Sequence, residues 1–146
     1  MKTICVIDGQ GGGIGATIIK RLRALFEEDV EIVALGTNAI ATAQMLKARA
    51  NRGASGENAI VRTVPRMDVI IGPVGIVMAN AMMGEVSPKI AEAVASSEAR
   101  KLLVPLFQEN MVIVGASDQP LPHLLDILVD EHLVPFLDAS NSNQDG

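Results

Sequence analysis

The chain has 146 residues, of which 49 % are hydrophobic and 20 % are charged, and its formal net charge is −5 at pH 7. This composition predicts one folded domain with its own core and argues against a disordered chain. The acidic balance, the absence of Trp and Tyr and the lack of a Lys/Arg block argue against a nucleic-acid partner. The longest uncharged run, 69–84, is too short and too interrupted by Pro and Gly to span a membrane.

Residues 4–7 are apolar and rich in β-branched side chains, which predicts a central parallel strand that is buried on both faces. After a glycine-rich segment, apolar residues recur at helical spacing and predict a helix with Arg23 among the charged residues of its outer face. Residues 31–36 predict a second strand, and either Thr37 or Asn38 can cap the helix that follows it.

The middle of the chain predicts a loop over 53–56 and then a segment, 57–64, for which a helix is favoured over a strand. Residues 68–72 predict a third strand, and 75–84 predict a buried helix. Ser87 can cap a further helix, because a proline follows it at the first helical position.

Two more apolar runs, 102–106 and 112–115, predict the fourth and fifth strands. Too few residues separate them for a parallel crossover, so we expect an antiparallel hairpin. Pro120 and the residues after it begin a last helix. We therefore expect a single domain over 1–137 and a disordered polar tail over 138–146.

Strands that alternate with helices predict a three-layer, Rossmann-like α/β domain with about five strands, most of them parallel. Ligands bind such sheets at the carboxyl ends of the strands. In this sequence those ends carry residues 8–9, 36–38, 72–73 and 115–118.

A glycine-rich loop between the first strand and the first helix is the strongest local motif. It consists of Asp8, Gly9, Gln10, Gly11, Gly12, Gly13, Ile14 and Gly15. Glycines let a backbone approach a phosphate closely, and the following helix offers unpaired N–H groups and the positive end of its dipole. The loop therefore predicts phosphate binding; the alternative is a tight turn where the helix packs close to the sheet.

The spacing of these glycines resembles several known loops. Gly11 and Gly13 followed by Ala16 fit the dinucleotide fingerprint, and residues 9–15 also resemble the loop of short-chain dehydrogenases. The absence of Tyr means that dehydrogenase catalysis is not implied. Residues 12–17 resemble a P-loop, but Ala16 stands where the lysine belongs, which argues against an ATPase.

Proteins that bind NAD usually carry an acidic residue at the end of the second strand. This sequence has Thr37 and Asn38 there, so it favours NADP or another nucleotide over NAD. Both side chains could donate hydrogen bonds to a 2′-phosphate. Their alternative role is to cap the second helix.

Further candidates are single residues near the strand ends. Asp8 could hold a ribose hydroxyl, a metal or a proton, or it could accept backbone N–H bonds and shape the turn. We expect Gly72, Pro73, Gly75 and Asn80 to line the rest of the ligand site, although Asn80 could instead be a satisfied structural residue. Glu57, Asn58 and Glu85 are polar residues beside apolar helices.

The single cysteine, Cys5, cannot form an internal disulfide and is expected to be an inert core thiol. The N-terminus is predicted to be a strand rather than a leader peptide. Both features favour a reducing cytoplasm. One Cys and two His do not make a conventional zinc site, so we expect no metal.

Several motifs along the chain resemble a small bacterial family. They are DGQGGGIG (8–15), ALGTNAIAT (34–42), GASGENAI (53–60), DVIIGPVGIVMANAMMGE (68–85) and QPLPHLLD (119–126). That family is a domain of unknown function found mostly in anaerobic Firmicutes and their relatives. The resemblance covers nearly the whole chain and implies a single domain in a bacterial cytoplasm. It carries no assigned activity and no catalytic residue.

The resulting hypothesis is that loop 8–15 binds a nucleotide or another phosphate-bearing small molecule, with no reaction assigned. The alternative is a non-catalytic interaction or regulatory protein on the same scaffold. Its partner or homodimer surface would be a helix with Met78, Met82 and Met83. Burial of these Met side chains would weaken the second hypothesis, and a loop whose amides are all bonded internally would remove the first.

Overall fold

The computed structural model describes residues 1–106, 110–116 and 118–145, with side chains described as far as residue 140. Its strands are β1 Lys2–Asp8, β2 Val30–Gly36, β3 Arg52–Ser55, β4 Val69–Pro73 and β5 Arg100–Val104. Its α-helices are α1 Gly13–Phe26, α2 Ala39–Lys47, α3 Glu57–Thr63, α4 Pro88–Ser96, α5 Leu121–Ile127 and α6 Val134–Asp145. Short 3₁₀ turns follow α3 (Val64–Arg66) and β4 (Val74–Val77), and a π-helical stretch, Leu128–Leu133, joins α5 to α6.

The five strands form one sheet in the order β3-β2-β1-β4-β5, and every neighbouring pair is parallel. In the central strand β1, Ile4 is in register with Ile32 of β2 on one side and with Val69 of β4 on the other. This is the strand order of the doubly wound folds. The chain adds strands outward on one side as far as β3 and then crosses to the other side of β1 to form β4, so the switch point lies between β1 and β4. The predicted α/β class with a parallel sheet is confirmed.

Helices cover both faces of the sheet. On one face, α1, α2 and the C-terminal helices pack on Ile4 and Val6, and on the other, α3 and α4 pack on Cys5 and Ile7. Alternate side chains of β1 therefore enter two cores, which explains why this strand is apolar throughout. Burial also raises the pKa of the Cys5 thiol.

The predicted antiparallel hairpin is wrong. The fourth predicted strand corresponds to β5, which pairs with β4 in parallel because α4 supplies the crossover between them. The fifth predicted strand, 112–115, is in no strand, and Ala116 closes a turn there by donating its N–H to Ile113 O. The fifth strand is instead β3, in the predicted loop 53–56. Its sequence, RGAS, is exposed and lacks the alternating apolar residues that predict a strand.

The helix predicted over 75–84 is also wrong. After the 3₁₀ turn, residues 78–86 form a series of turns, because Asn80, Met82, Met83 and Gly84 have positive φ angles. The helix predicted over 57–64 is confirmed as α3. The cap at Ser87 is confirmed by its hydroxyl, which accepts a hydrogen bond of 3.3 Å from the N–H of Ile90.

Arg23 differs from its predicted position on the outer face of α1. Only 5 % of the residue is exposed, and its guanidinium donates to the carbonyl oxygens of Arg49, Glu27 and Val30 and to Asn51 Oδ1. A long side chain can turn back to satisfy buried carbonyls, which helical periodicity alone does not reveal.

At the C-terminus, α6 gives helical backbone to residues 138–145, where the sequence predicts a disordered tail. Gly146 and Ser117, which belong to the predicted tail and to the predicted strand end 115–118, lie outside the described residues. Within the ranges that the structure describes, no helix is long and apolar enough to cross a membrane.

Candidate functional site

A cleft of about 630 Å³ opens at the carboxyl ends of β1, β4 and β5. Its described lining consists of Asp8, Gln10, Ile14, Pro73, Gly75, Asn80, Ala81, Met82, Met83, Pro105, Leu106 and Asp118. Because β1 and β4 are the neighbours at which the strand order reverses, this is the place where doubly wound sheets bind ligands. Its volume is within the range of small-molecule sites.

Asp8 ends β1 at the base of this cleft, and only 3 % of the residue is exposed. Its Oδ1 accepts a hydrogen bond of 2.8 Å from the N–H of Gly9, and its Oδ2 accepts one of 2.7 Å from the N–H of Gly15. Burial raises the pKa of Asp8 more than these bonds lower it, and the charge of Glu85 raises it further. The carboxylate therefore shapes the turn and takes one of the free amides at the start of α1.

Three glycines of the loop are required by packing. A methyl group on Gly12 would lie 2.8 Å from backbone atoms of Ala41, and Gly12 has a φ of +75°. A methyl group on Gly15 would lie 2.6 Å from Met45 Sδ, and one on Gly9 would be as close to Met82 Sδ. Gly12 also closes the turn through its N–H, which donates to Gly9 O at 2.9 Å. These positions fit the alternative of a tight turn.

Gly11 and Gly13 differ from the other three glycines. Both are exposed, neither has a positive φ, and a methyl group on either would meet no atom within 4 Å. Their N–H groups make no hydrogen bond to another described residue. They lie between Gln10 and Ile14 in the chain, and both of those residues line the cleft. Internal packing therefore gives no reason for glycine at these two positions.

Thr37 and Asn38, predicted to contact the far end of a ligand, instead donate to a side chain of the protein. Thr37 Oγ1 donates to Glu85 Oε1 at 2.7 Å, and Asn38 Nδ2 donates to the same oxygen at 2.8 Å. Asn38 Oδ1 also caps α2 by accepting the N–H of Ala41 at 2.9 Å. Burial raises the pKa of Glu85, but its hydrogen bonds with Thr37, the Gln10 N–H and Asn38 together lower it.

Of the four residues predicted around β4, three line the cleft and one packs the strands together. Pro73, Gly75 and Asn80 line the cleft, and Asn80 is exposed in a turn rather than buried in a helix. Gly72 is buried in β4, where a methyl group would clash with the carbonyl oxygen of Ile7 in β1. Its role is close packing of the two strands.

Sequence reasoning missed the apolar wall of the cleft. Met83 extends from the turns after β4, while Pro105 and Leu106 follow β5 directly. The strand-end rule would have found Pro105 and Leu106 if β5 had been predicted to end at Val104. Asp118 also lines the cleft, and it belongs to the strand end predicted over 115–118.

The described lining supplies amides, apolar surface and two ionisable groups, Asp8 and Asp118. In the part of the chain that the structure describes, no group of three or more His, Cys, Asp or Glu residues could hold a metal ion. The arrangement suits ligand binding in which backbone N–H groups, rather than cationic side chains, contact an anion.

Two solved structures resemble the chain weakly. Apo histidine-tagged saccharopine dehydrogenase (L-Glu forming) from Saccharomyces cerevisiae aligns with a TM-score of 0.49 and 13 % identity, over 74 % of this chain. The chain spans only 22 % of that protein. The dodecameric FMN-dependent UbiX-like decarboxylase from Escherichia coli O157:H7 aligns with a TM-score of 0.43 and 17 % identity, over 90 % of this chain and 94 % of that one.

No curated protein matches the sequence. The family resemblance seen in the sequence motifs is confirmed by a family model that matches residues 3–136. The chain belongs to the family described as Domain of unknown function (DUF3842).

Proposed function

We propose that the chain binds a nucleotide or another phosphate-bearing small molecule in the cleft at the ends of β1, β4 and β5. The phosphate would be held by the N–H groups of Gly11 and Gly13. The observation that carries this proposal is that both glycines are exposed, have amides that bond to none of the described residues, and have no steric need to be glycine. They lie at the start of a helix of 14 residues, whose dipole favours an anion.

The glycine-rich loop is partly closed by its own hydrogen bonds. The amides of Gly9 and Gly15 donate to Asp8, and the amides of Gln10 and Gly12 donate to Glu85 and Gly9. The amide of Ile14 also donates to Asp8. Together these amides fix the loop and leave those of Gly11 and Gly13 available to a ligand. Pre-organised donors favour binding, because little ordering is needed when the ligand arrives.

Because the cleft carries acidic side chains, we expect a phosphate contact alone to be too weak to hold a ligand there. Asp8 and Asp118 line the cleft, and its described lining has no Lys or Arg. Affinity for bare phosphate should therefore be weak. The wall formed by Met83, Pro105 and Leu106 offers apolar surface to a base or another flat group of the ligand.

NADP is the cofactor favoured by the sequence, because no acidic residue follows β2 in the chain. NADP therefore belongs in the ligand screen, but the structure adds an argument against a dinucleotide. Glu85 is relevant to this choice, since its carboxylate is hydrogen-bonded to Thr37 and Asn38 at the end of β2. We propose no reaction for the protein. The buried, unpaired Cys5 is compatible with the proposed cytoplasmic location.

A thermal-shift screen against NADP, NAD, FMN, ATP, CoA and phosphate at millimolar concentration tests the proposal. A ligand at one hundred times its Kd stabilises the native state by about 2.7 kcal/mol. We expect a selective shift that Gly13→Val abolishes. Ala39→Val is the matched control, because it places the same side chain at the exposed first residue of α2. No shift with any ligand, or equal loss in both variants, would contradict the proposal.

A second candidate function is association with another copy of the chain. Residues 111–114 (MVIV) are apolar and exposed, at 55, 88, 39 and 94 %. The predicted methionine surface is weaker, because Met78 and Met82 pack against the core and Met83 is the one of the three that is exposed, at 95 %. Exposed apolar runs of this kind are typical of interfaces. Light scattering of the wild type and of Val112→Asp would test this: a dimer that the substitution dissociates supports it, and a monomeric wild type contradicts it.

A further inference from the structure

We propose, on the basis of the proposed function, that the cleft accepts a ligand with a single nucleotide unit, or another small singly phosphorylated molecule, and excludes dinucleotides. The reason lies in residues 78–86, here called the Glu85 loop, because the Glu85 carboxylate lies between the residues that follow β1 and those that follow β2. In a doubly wound sheet a dinucleotide lies across the switch point and needs both sides of β1.

The position of the Glu85 carboxylate is defined by three hydrogen bonds to one oxygen. Oε1 accepts the N–H of Gln10 at 2.9 Å, Thr37 Oγ1 at 2.7 Å and Asn38 Nδ2 at 2.8 Å. Gln10 follows β1, and the other two donors follow β2. The carboxylate therefore lies between these strand ends and uses the donors that a ribose or a 2′-phosphate would need.

The Glu85 loop also covers the backbone at the end of β1. A methyl group built on Gly9 would lie 2.6 Å from Met82 Sδ and 3.1 Å from Glu85 Oε1. Thr37, Asn38 and Glu85 do not line the cleft, which opens instead toward β4 and β5. Among the described residues, the cleft therefore lies on the β4 side of the switch point, and the Glu85 carboxylate takes the polar groups on the β2 side.

The Glu85 loop is held in one conformation by backbone hydrogen bonds and by buried side chains. The N–H of Asn80 donates to Val86 O at 2.7 Å, and the N–H of Val86 donates to Ala81 O at 3.1 Å. Val86 and Ala81 are buried at 0 and 3 % exposure. Between them the backbone holds the positive φ angles of Met82 and Met83, which persist only where the surrounding structure enforces them. A ligand would not readily displace such a loop.

Isothermal titration of the wild-type protein with 5′-AMP, FMN, NAD and NADP tests the inference. We expect at least one monophosphate to bind ten times more tightly, or better, than either dinucleotide. Binding of NAD or NADP as tight as that of both monophosphates would overturn the inference and leave the proposed function standing. Binding of none of the four would overturn the inference, and the proposed function would fall with it only if the wider thermal-shift screen also showed no ligand.

Two variants test the cause of the exclusion. Glu85→Ala removes the anchor and should raise the affinity for NAD or NADP at least tenfold, with less than a threefold change for the monophosphate. Glu85→Gln keeps the size of the side chain and an acceptor oxygen, so this matched control should stay selective. If Glu85→Ala folds, as judged by circular dichroism, and still rejects dinucleotides, the Glu85 loop is not what excludes them and the inference is wrong.

Discussion

Oε1 of Glu85 accepts a hydrogen bond of 2.9 Å from the backbone N–H of Gln10, a residue 75 positions earlier in the chain. The bond fastens the turns after β4 to the glycine-rich loop after β1. Because the same oxygen also accepts the side chains of Thr37 and Asn38, one carboxylate links the ends of three neighbouring strands. The shape of the candidate site therefore depends on a residue outside the glycine motif.

The hydrogen bonds of Glu85 predict a pH dependence of stability. They lower the pKa of Glu85 in the folded protein below its ordinary value of 4.5, although burial acts in the opposite direction. Its stabilising contribution is therefore complete above pH 4.5 and is lost as the pH falls through the folded pKa. We expect the difference in unfolding free energy between the wild type and Glu85→Gln to shrink from pH 6 to pH 3. Urea titrations measure it, and a difference that does not vary with pH would contradict this reading.

Substitution of the loop glycines should separate packing from ligand contact. Gly12→Ala should lower the unfolding free energy by about 2 kcal/mol or more, because its φ is positive and the methyl group would meet Ala41. Gly13→Ala should be neutral or stabilise by about 0.5 kcal/mol, since alanine suits a first helical position that has open space. Chemical denaturation of both variants measures this. Equal losses would mean that Gly13 is also required by packing.

Asp8 should matter for stability through its two backbone contacts. Asp8→Asn retains one acceptor and turns its NH₂ group toward a backbone N–H, which should cost about 2 kcal/mol near neutral pH. Because burial raises the folded pKa of Asp8 above its ordinary value of 3.8, its own contribution falls as the pH rises through the folded pKa. The deficit of the variant should therefore be largest at low pH. A deficit that grows toward neutral pH would contradict the raised pKa.

Arg23 is the buried cation that joins the end of α1 to the start of β2. Arg23→Lys cannot reach all four of its acceptors and should lower the unfolding free energy by about 2–3 kcal/mol. Arg21→Lys is the control, since Arg21 lies on the same helix as Arg23 but is partly exposed and pairs with Asp126 of α5. Thermal unfolding of the two variants compares them directly. Similar midpoints would show that the network around Arg23 contributes little.

The sequence predicts those parts of the fold whose signal is local. Strand β1 is a continuous apolar run, and α4 starts at Ser87 followed by proline, so both follow from short-range rules. Strand β3 was missed because its residues are exposed and its pairing with β2 is a backbone interaction. The sequence predicts a helix over 75–84 where the structure has a 3₁₀ turn and further turns, because apolar composition does not reveal left-handed φ angles.

For the candidate site, the sequence predicts its place in the chain but not its internal contacts. The motif rule identified the glycine-rich loop as a unit, and only the packing around Gly12 and Gly15 separates these glycines from Gly11 and Gly13. The absence of an acidic residue after β2 suggested NADP. The fold supplies a carboxylate there from Glu85. Glu85 follows its partner Thr37 by 48 positions in the chain, so no local motif contains this contact.

The most direct test of the central claim is a titration of the ¹⁵N-labelled protein with 5′-AMP and FMN, followed through the backbone amide signals. We expect saturable shifts of the Gly11 and Gly13 amides, with little change at Gly53 in the edge strand β3. Saturable shifts that leave Gly11 and Gly13 unaffected, or no shifts at millimolar ligand, would contradict phosphate binding by this loop.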